Sequence, residues 1–505
     1  MKTEAATLIQ SWCQGRAQLD QNNRLVFKSR QASNLTEKCR LAYQWILDNA
    51  IYCPYSDIEY GTSIILGRAE QQIKLATEDS YASFILLPLL TLMISRRLLL
   101  IGAPGRGKTT VATLMALLAG YSLDDIKHAI QHGHPQMTQA DILGSPLPSD
   151  LVQARESADI RVLWRQWIRM RVKIIDEYNR IPTKTQSCLL SLMAEGYAEM
   201  YEQIIHSENS AWFLTANDDL GGGTFQVIDA LKDRIDIVVR CTPFNTRYLE
   251  ALATRIAQTK QPEDFMPIDI IFTHDELNQM GTAIRAIEIP SEVLEVLGFL
   301  ISQLDFCRRA SDTLEFQNKD TLHLAGRRVG HVCTEDCPLD KFENICTQTE
   351  SGVSARAYQT IIHYAKALAF FRRQKTVSNE DVRQILPWVL HEKLKPNPQS
   401  DFFQKTDNLI YQTDKISWIR QLFDHALTQY AAYQPLRQPI IELQTQTDQL
   451  AQLPPSQLKQ QIQMVRQQME ELLTKHELNA PVHNDLILLK HLHVQYQMQM
   501  KNDQF

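Results

Sequence analysis

The sequence predicts an α/β fold: a parallel sheet with helices on both faces, then an all-helical region, then a helical C-terminal extension. Three observations predict it. Short apolar strands, Arg97–Ile101, Val172–Ile175, Ala211–Thr215 and Ile235–Val239, alternate with helical segments, which implies parallel strands joined by crossover helices. A glycine-rich run, Gly102 to Gly107, stands between the first of these strands and a helical stretch, Thr110 to Ala119. Beyond residue 400 the chain is rich in glutamine and apolar residues recur at helical spacing.

With 505 residues the chain is too long for one core and fits two to four domains. We divide it at 1–60, a helical segment; 61–255, the α/β domain; 256–400, a mostly helical region; and 401–505, the extension. In the first segment Leu41, Trp45, Ile46 and Ala50 carry the helical spacing. Hydrophobic residues make up 44%, charged residues 22%, and the net charge is −6. That balance suits an ordinary soluble protein and argues against one drawn to nucleic acid by its overall field. The start, Met1-Lys2-Thr3-Glu4, lacks the apolar core of a signal peptide. The longest apolar stretch, Phe84 to Ile94, is too short to span a bilayer and contains Pro88. It reads as a buried helix leading into the first strand. Nine cysteines without a secretion signal argue against a disulfide framework, and a cytoplasmic location is expected.

The run Gly102-Ala103-Pro104-Gly105-Arg106-Gly107-Lys108-Thr109, followed by Thr110, has P-loop spacing. Glycines let the backbone curl until its N–H groups point at phosphates, and the following helix places its N-terminus there. Lys108 supplies charge to phosphate oxygens and Thr109 a hydroxyl to Mg²⁺. About 70 residues on, the strand Val172-Lys173-Ile174-Ile175 ends in Asp176-Glu177. Asp176 is the expected Mg²⁺-side carboxylate, and Glu177 the group that polarises an attacking water.

From Gly67 to about Leu394 the chain resembles an AAA+ ATPase of the MoxR group. Gln136 to Gly144 resembles the group's segment between its two nucleotide motifs. Asp176-Glu177-Tyr178-Asn179-Arg180-Ile181-Pro182 resembles its extended second motif, with Lys184-Thr185-Gln186 and Leu189-Leu190 on the helix after it. The resemblance implies a P-loop AAA+ nucleotide domain with an all-α lid, ATP and Mg²⁺ as ligands, and ATP hydrolysis. It makes Asn217 the residue that helps hold the lytic water. Arg234 becomes the arginine finger reaching a neighbour's nucleotide, and Arg356, at the start of a lid helix through Tyr364, Leu368 and Phe371, the cis arginine. Ser378 caps the helix that ends the lid, and Gly67-Arg68 resembles the adenine-side entry segment. A finger acting in trans implies a homo-oligomeric ring, a hexamer in this group. The ring's task would be remodelling or activating a client protein, often one with a von Willebrand factor A domain, in complex assembly or metal insertion. After Asn217 the chain departs from the group, running Asp218-Asp219-Leu220 and then Gly221-Gly222-Gly223.

Two rivals stay open at this point. A nucleic-acid-acting motor of the restriction type would use Arg161, Arg165, Arg169 and Arg171; a nucleotide-sensing scaffold would not hydrolyse at all, against which the intact Asp176-Glu177 pair argues.

Cys307, Cys333, Cys337 and Cys346 fall within about 40 residues of the least regular stretch. Thiolates at short loop spacing are candidate ligands for a structural Zn²⁺, with His331 able to replace Cys307. No Cys-x2-Cys pair is present, so buried free cysteines are the other reading. His128, His132 and His134 read as polar and packing residues.

In the extension, Leu458, Ile462, Val465, Met469 and Leu472 step by 4, 3, 4 and 3, the spacing of a coiled-coil seam. Pro454 and Pro455 precede it, Ser456 is the expected N-cap, and Pro481 separates it from a helix bearing Leu488, Leu492 and Tyr496. A hairpin packing on itself is expected ahead of an intermolecular coil.

Overall fold

The computed structural model describes residues 17–19, 25–27, 34–50, 57–68, 71–156, 159–207, 209–217, 229–241, 244–258, 261–334, 337–339, 344–446 and 454–502. The chain forms two compact units, residues 1–288 with 362–381, and residues 289–361 with 382–505.

The centre of the first unit is a five-stranded parallel sheet. Its strands are β1 (Arg97–Ile101), β2 (Ile130–His132), β3 (Val172–Asp176), β4 (Ala211–Ala216) and β5 (Ile237–Arg240), in the order β5-β1-β4-β3-β2. Burial on both faces explains why β1, β3 and β4 read as nearly continuous apolar runs. Lys173 interrupts β3, yet it is fully buried. Its ammonium donates to Met170 O at 2.6 Å and lies 5.5 Å from the Trp212 ring, which makes the burial tolerable. The last expected strand starts two residues late because Asp236 is occupied otherwise: its carboxylate accepts from Arg97 N and Nε at 2.9 and 2.7 Å.

The helices of this unit follow from the same logic. In α1 (Leu35–Asn49) Cys39, Ala42, Tyr43 and Ile46 face inward, and the Asn34 side chain caps the first turn. The expectation of helix throughout residues 1–60 is corrected by two short paired strands, Ala17–Leu19 and Leu25–Phe27, and a further strand pair at Ile58–Glu59 and Ser80–Tyr81. Strands of two or three residues carry too little periodicity to be told from helix. The apolar stretch is α2 (Ser83–Ile94), buried from Ser83 to Met93 as expected. After it come α3 (Lys108–Leu118), α4 (Thr183–Ala194), α5 (Asp229–Arg234) and α6 (His274–Ala286). One core cluster of this unit gathers Trp167, Ile175, Leu189, Leu192 and Leu214.

The remaining long helices are α7 (Ser291–Asp305), α8 (Ala355–Phe371), α9 (Asn379–Leu390), α10 (Lys415–Gln446), α11 (Pro455–Lys475) and α12 (Ala480–Asn502). Tyr364, Leu368 and Phe371 of α8 are buried as their spacing predicts. Ser378 caps α9 reciprocally: its hydroxyl donates to Asp381 Oδ2 at 2.7 Å and accepts from Asp381 N at 3.2 Å. In the second unit, Ile440 and Leu443 of α10 join Leu458, Ile462, Val465 and Leu472 of α11 and Val482, Leu486, Leu489, Leu492 and Tyr496 of α12 in one apolar cluster. The heptad-spaced seam is thus closed within the chain. Its N-cap is Pro454 rather than Ser456, because Pro455 is already the first helical residue, where a missing N–H costs nothing. No helix among the described residues is long and apolar enough to cross a membrane.

Candidate functional site

The C-terminal ends of β1, β3 and β4 lie side by side, with Ile101 opposite Ala216, and Val172 to Ile175 running beside Ala211 to Leu214. This is the edge where open parallel sheets bind ligands. Gly102 to Gly107 leave β1 there as a loop, with Gly105 and Gly107 both at φ 75°, and Gly107 starts α3. A left-handed φ favours glycine, so the loop could not hold this curl with side chains at both positions. The space around Gly105 is open within 4 Å, whereas a Cβ on Gly102 would sit 2.9 Å from Cys241 Cβ.

Two hydrogen-bonded chains of side chains meet at this edge. Lys108 is buried, and its ammonium donates to Gly102 O at 2.6 Å, Ala103 O at 3.0 Å and Asn217 Oδ1 at 2.9 Å. Asn217 passes the chain on, its Nδ2 donating to Glu177 Oε1 at 2.9 Å. Arg180 Nη1 lies 3.2 Å from the other oxygen, Glu177 Oε2. The second chain runs through Asp176: Oδ1 accepts from Thr109 Oγ1 at 2.9 Å and from Thr215 Oγ1 at 2.6 Å, and His132 Nδ1 lies 3.4 Å from Oδ2. The Thr215 hydroxyl also accepts from Glu177 N at 3.0 Å.

Glu177 sits at φ 52° and ψ 46°, a left-handed conformation that is unusual for a non-glycine residue. The Thr215 hydroxyl holds that peptide from one side. Gly133 holds it from the other, donating from its N to Asp176 O at 2.8 Å. A Cβ on Gly133 would lie 2.4 Å from Glu177 O, so only glycine lets β2 approach this turn. Asn179 completes the corner, its Nδ2 3.4 Å from Asn217 O.

Lys108, Thr109, Asp176, Glu177 and Asn217, singled out from separate stretches of sequence, are therefore brought together. A neutral hydroxyl and a carboxylate converging within 2.9 Å form the hard oxygen pair that suits Mg²⁺, so the residues present fit that ion. Thr215, Gly133 and His132 were not singled out for this site. For Thr215 the signal was its place two residues before Asn217; for Gly133 and His132, a short strand ahead of a glycine gave none. Arg234 is the last residue of α5, beside the start of β5. Arg356, in the second unit, is the second residue of α8, and its carbonyl accepts from Thr360 Oγ1 at 2.9 Å. Gly352 before it is spatially required: a Cβ there would lie 1.5 Å from Asp305 Oδ1, which accepts from Val353 N at 2.9 Å. Gly67 pairs with Gln72 in an exposed hairpin of Ser63–Arg68 and Gln71–Ala76. The divergent loop after Asn217, residues 218–228, lies outside the described residues.

The zinc expectation is not supported. Cys307 packs with Leu322, Val329 and Val332, and Cys333 lies against them, whereas Cys346 packs with Phe306, Leu339 and Ala480, with Cys337 alongside. Among the described residues no three candidate ligands come together in a way that could hold a metal. The fully buried Lys319 Nζ lies among these thiols, bonded to Thr349 O at 2.8 Å and to its hydroxyl, and burial lowers its pKa. Burial first, and then the neighbouring Cys307, push the Cys333 thiol up to about 11; burial pushes Cys346 up to about 12. Both stay protonated at neutral pH. Of the arginines between the nucleotide motifs, Arg161 closes on Asp150 at 2.8 Å, and Arg171 donates to Asn278 at 2.7 Å.

Two family descriptions match parts of the chain: the ATPase family associated with various cellular activities (AAA) over residues 97–237, and the AAA lid domain over residues 342–412. No curated protein matches it. Among solved structures it resembles a "putative ATPase" from Cytophaga hutchinsonii, at 16% identity and a TM-score of 0.50, covering 76% of this chain and 94% of that one. At that identity the likeness speaks to the fold alone. The sheet order and the two family matches together give an α/β AAA+ ATPase fold with a lid and a helical C-terminal part.

Proposed function

We propose that this chain, built on an AAA+ ATPase fold, hydrolyses ATP as one subunit of a MoxR-type homo-oligomeric ring that remodels or activates a client protein. The reading rests on the two side-chain chains that join Lys108 and Thr109 to Asp176, Glu177 and Asn217.

In this mechanism the loop amides from Gly102 to Thr110 and the Lys108 ammonium bind the phosphates of ATP. Thr109 and Asp176 would hold Mg²⁺, which supplies charge to neutralise the phosphate oxygens. Glu177 takes up the proton of the attacking water, and Asn217 fixes the carboxylate's direction. Arg234 would supply positive charge to a neighbour's γ-phosphate, and Arg356 would contact the nucleotide of its own subunit. Completion of each site by a neighbour makes a ring, a hexamer by the resemblance, the working unit. The client class, a protein with a von Willebrand factor A domain, and a cytoplasmic setting belong to the same proposal and rest on the MoxR resemblance alone.

The test is Glu177→Gln in the full chain. Turnover should fall by about 10²–10⁴-fold, the usual worth of a general base, while ATP stays bound. Unchanged turnover would remove Glu177 from the mechanism. The same ATP-holding variant should capture the client in a pull-down, and turnover per subunit should rise with protein concentration as rings form.

A further inference from the structure

We propose that a cavity at the opposite edge of the sheet is a second anion site, taking a phosphate-bearing small molecule independently of the P-loop. The cavity has a volume of about 640 Å³, within the range of small-molecule sites. It opens where β1, β3 and β4 begin, with Arg96, Arg171 and Ser210 on its wall, whereas the P-loop lies where β1 ends. A five-residue strand separates the two places by roughly 15 Å.

The described lining of this cavity is mostly basic. Among the described residues, Arg96, Arg97, Arg171, Arg285 and Lys366 line it together with the carboxylate of Glu195, which is exposed and bonded to Tyr197. Arg97 is neutralised by Asp236 at 2.7 Å. The Asp236 carboxylate also acts on Arg96. Arg171 donates to Asn278 Oδ1, Arg285 Nη2 to Thr282 Oγ1 at 3.0 Å, and Lys366 Nζ to Arg285 O at 2.9 Å. The Arg96 guanidinium forms no hydrogen bond with any described residue. His363, on the same wall, is pushed down to about 4, first by burial and then by Arg96, with Lys366 and Arg285 acting the same way. The imidazole is thus neutral at ordinary pH, a hydrogen-bonding group inside a positive field.

Like charges gathered in a concavity raise one another's energy and concentrate anions there. A singly charged carboxylate would leave most of this field unanswered. A phosphate group, with two or more charges and several acceptor oxygens, suits guanidinium forks and an ammonium on one wall. Leu277 and Ile284 add an apolar side against which a base or other flat body could lie.

The experiment uses the full chain carrying Lys108→Ala, so that the P-loop is disabled, and titrates inorganic pyrophosphate by calorimetry at low salt. Binding at one site per chain is expected, weakened at least about tenfold by Arg96→Gln with Lys366→Gln, since both charge-assisted bonds are lost. Arg285→Gln is the second variant, used if circular dichroism shows the first to be misfolded. An ADP titration distinguishes the source: tighter binding than pyrophosphate assigns the site to nucleotides, and weaker binding to free polyphosphates. No binding to the Lys108→Ala chain, or equal binding to the charge variants, overturns the proposal. Neither result touches the ATPase reading, which Glu177→Gln tests separately.

Discussion

Thr215→Val keeps the shape of a fully buried side chain and removes only its hydroxyl. That hydroxyl does two things: it donates to Asp176 Oδ1 at 2.6 Å and accepts from Glu177 N at 3.0 Å. Losing the first removes a hydrogen bond to a charged group, about 1.5–3 kcal/mol. Losing the second strands a peptide N–H at a left-handed residue, about 1–3 kcal/mol. The two losses share one relaxation, so they combine to about 2–4 kcal/mol of folding stability rather than their full sum. Thr215→Ser keeps the hydroxyl and forfeits one methyl, about 1 kcal/mol. Urea unfolding of the three proteins should therefore rank wild type, Ser, then Val, and ATP turnover should fall most in Val because Glu177 loses its anchor. If Val and Ser unfold at the same urea concentration and turn over ATP equally, the hydroxyl does not hold this corner.

Gly133→Ala should destabilise by about 1–3 kcal/mol through overpacking against Glu177 O, and should lower turnover together with stability; a thermal melt and an ATPase assay check both. Asp305 gives a pH signature in the second unit. Burial raises its carboxyl from 3.8 to about 6, with Val353 N acting in the opposite direction, so the folded state holds a proton the unfolded chain releases. The favourable linkage is therefore complete below about 4 and is lost as the pH rises through about 6. Asp305→Asn, which cannot ionise, should gain stability relative to wild type by about 2–3 kcal/mol between pH 4 and pH 7, read from unfolding midpoints at several pH values. A difference that does not change over that range would count against a buried, protonated Asp305.

The parallel sheet was legible because burial on both faces writes β1, β3 and β4 as apolar runs, and the P-loop marks where β1 ends. Asp176, Glu177 and Asn217 were legible because each closes such a run. Gly133 was not: a Cβ there would lie 2.4 Å from Glu177 O, in a turn more than forty residues away in sequence, which no local pattern records. The short strands near the N-terminus escaped for a different reason, since three residues complete no period. The cysteines misled in the opposite direction. Their spacing suited a metal, but among the described residues no three candidate ligands come together in a way that could hold one. The extension read well because a 4-3-4-3 pattern leaves little choice of inward face, and the structure moved its N-cap from Ser456 to Pro454.

Asn217 has one consequence for how the proposed enzyme would keep time. Lysine can only donate and a carboxylate can only accept, so the amide between Lys108 and Glu177 has a single permitted orientation, oxygen to the ammonium and nitrogen to the carboxylate. It cannot turn over to serve one neighbour without abandoning the other. Whatever draws the ammonium off the amide oxygen, an arriving phosphate included, slackens the tether on the base. Occupancy and readiness would then be a single variable reported by one side chain, and an empty site would stay idle by construction rather than by the mere lack of something to cut.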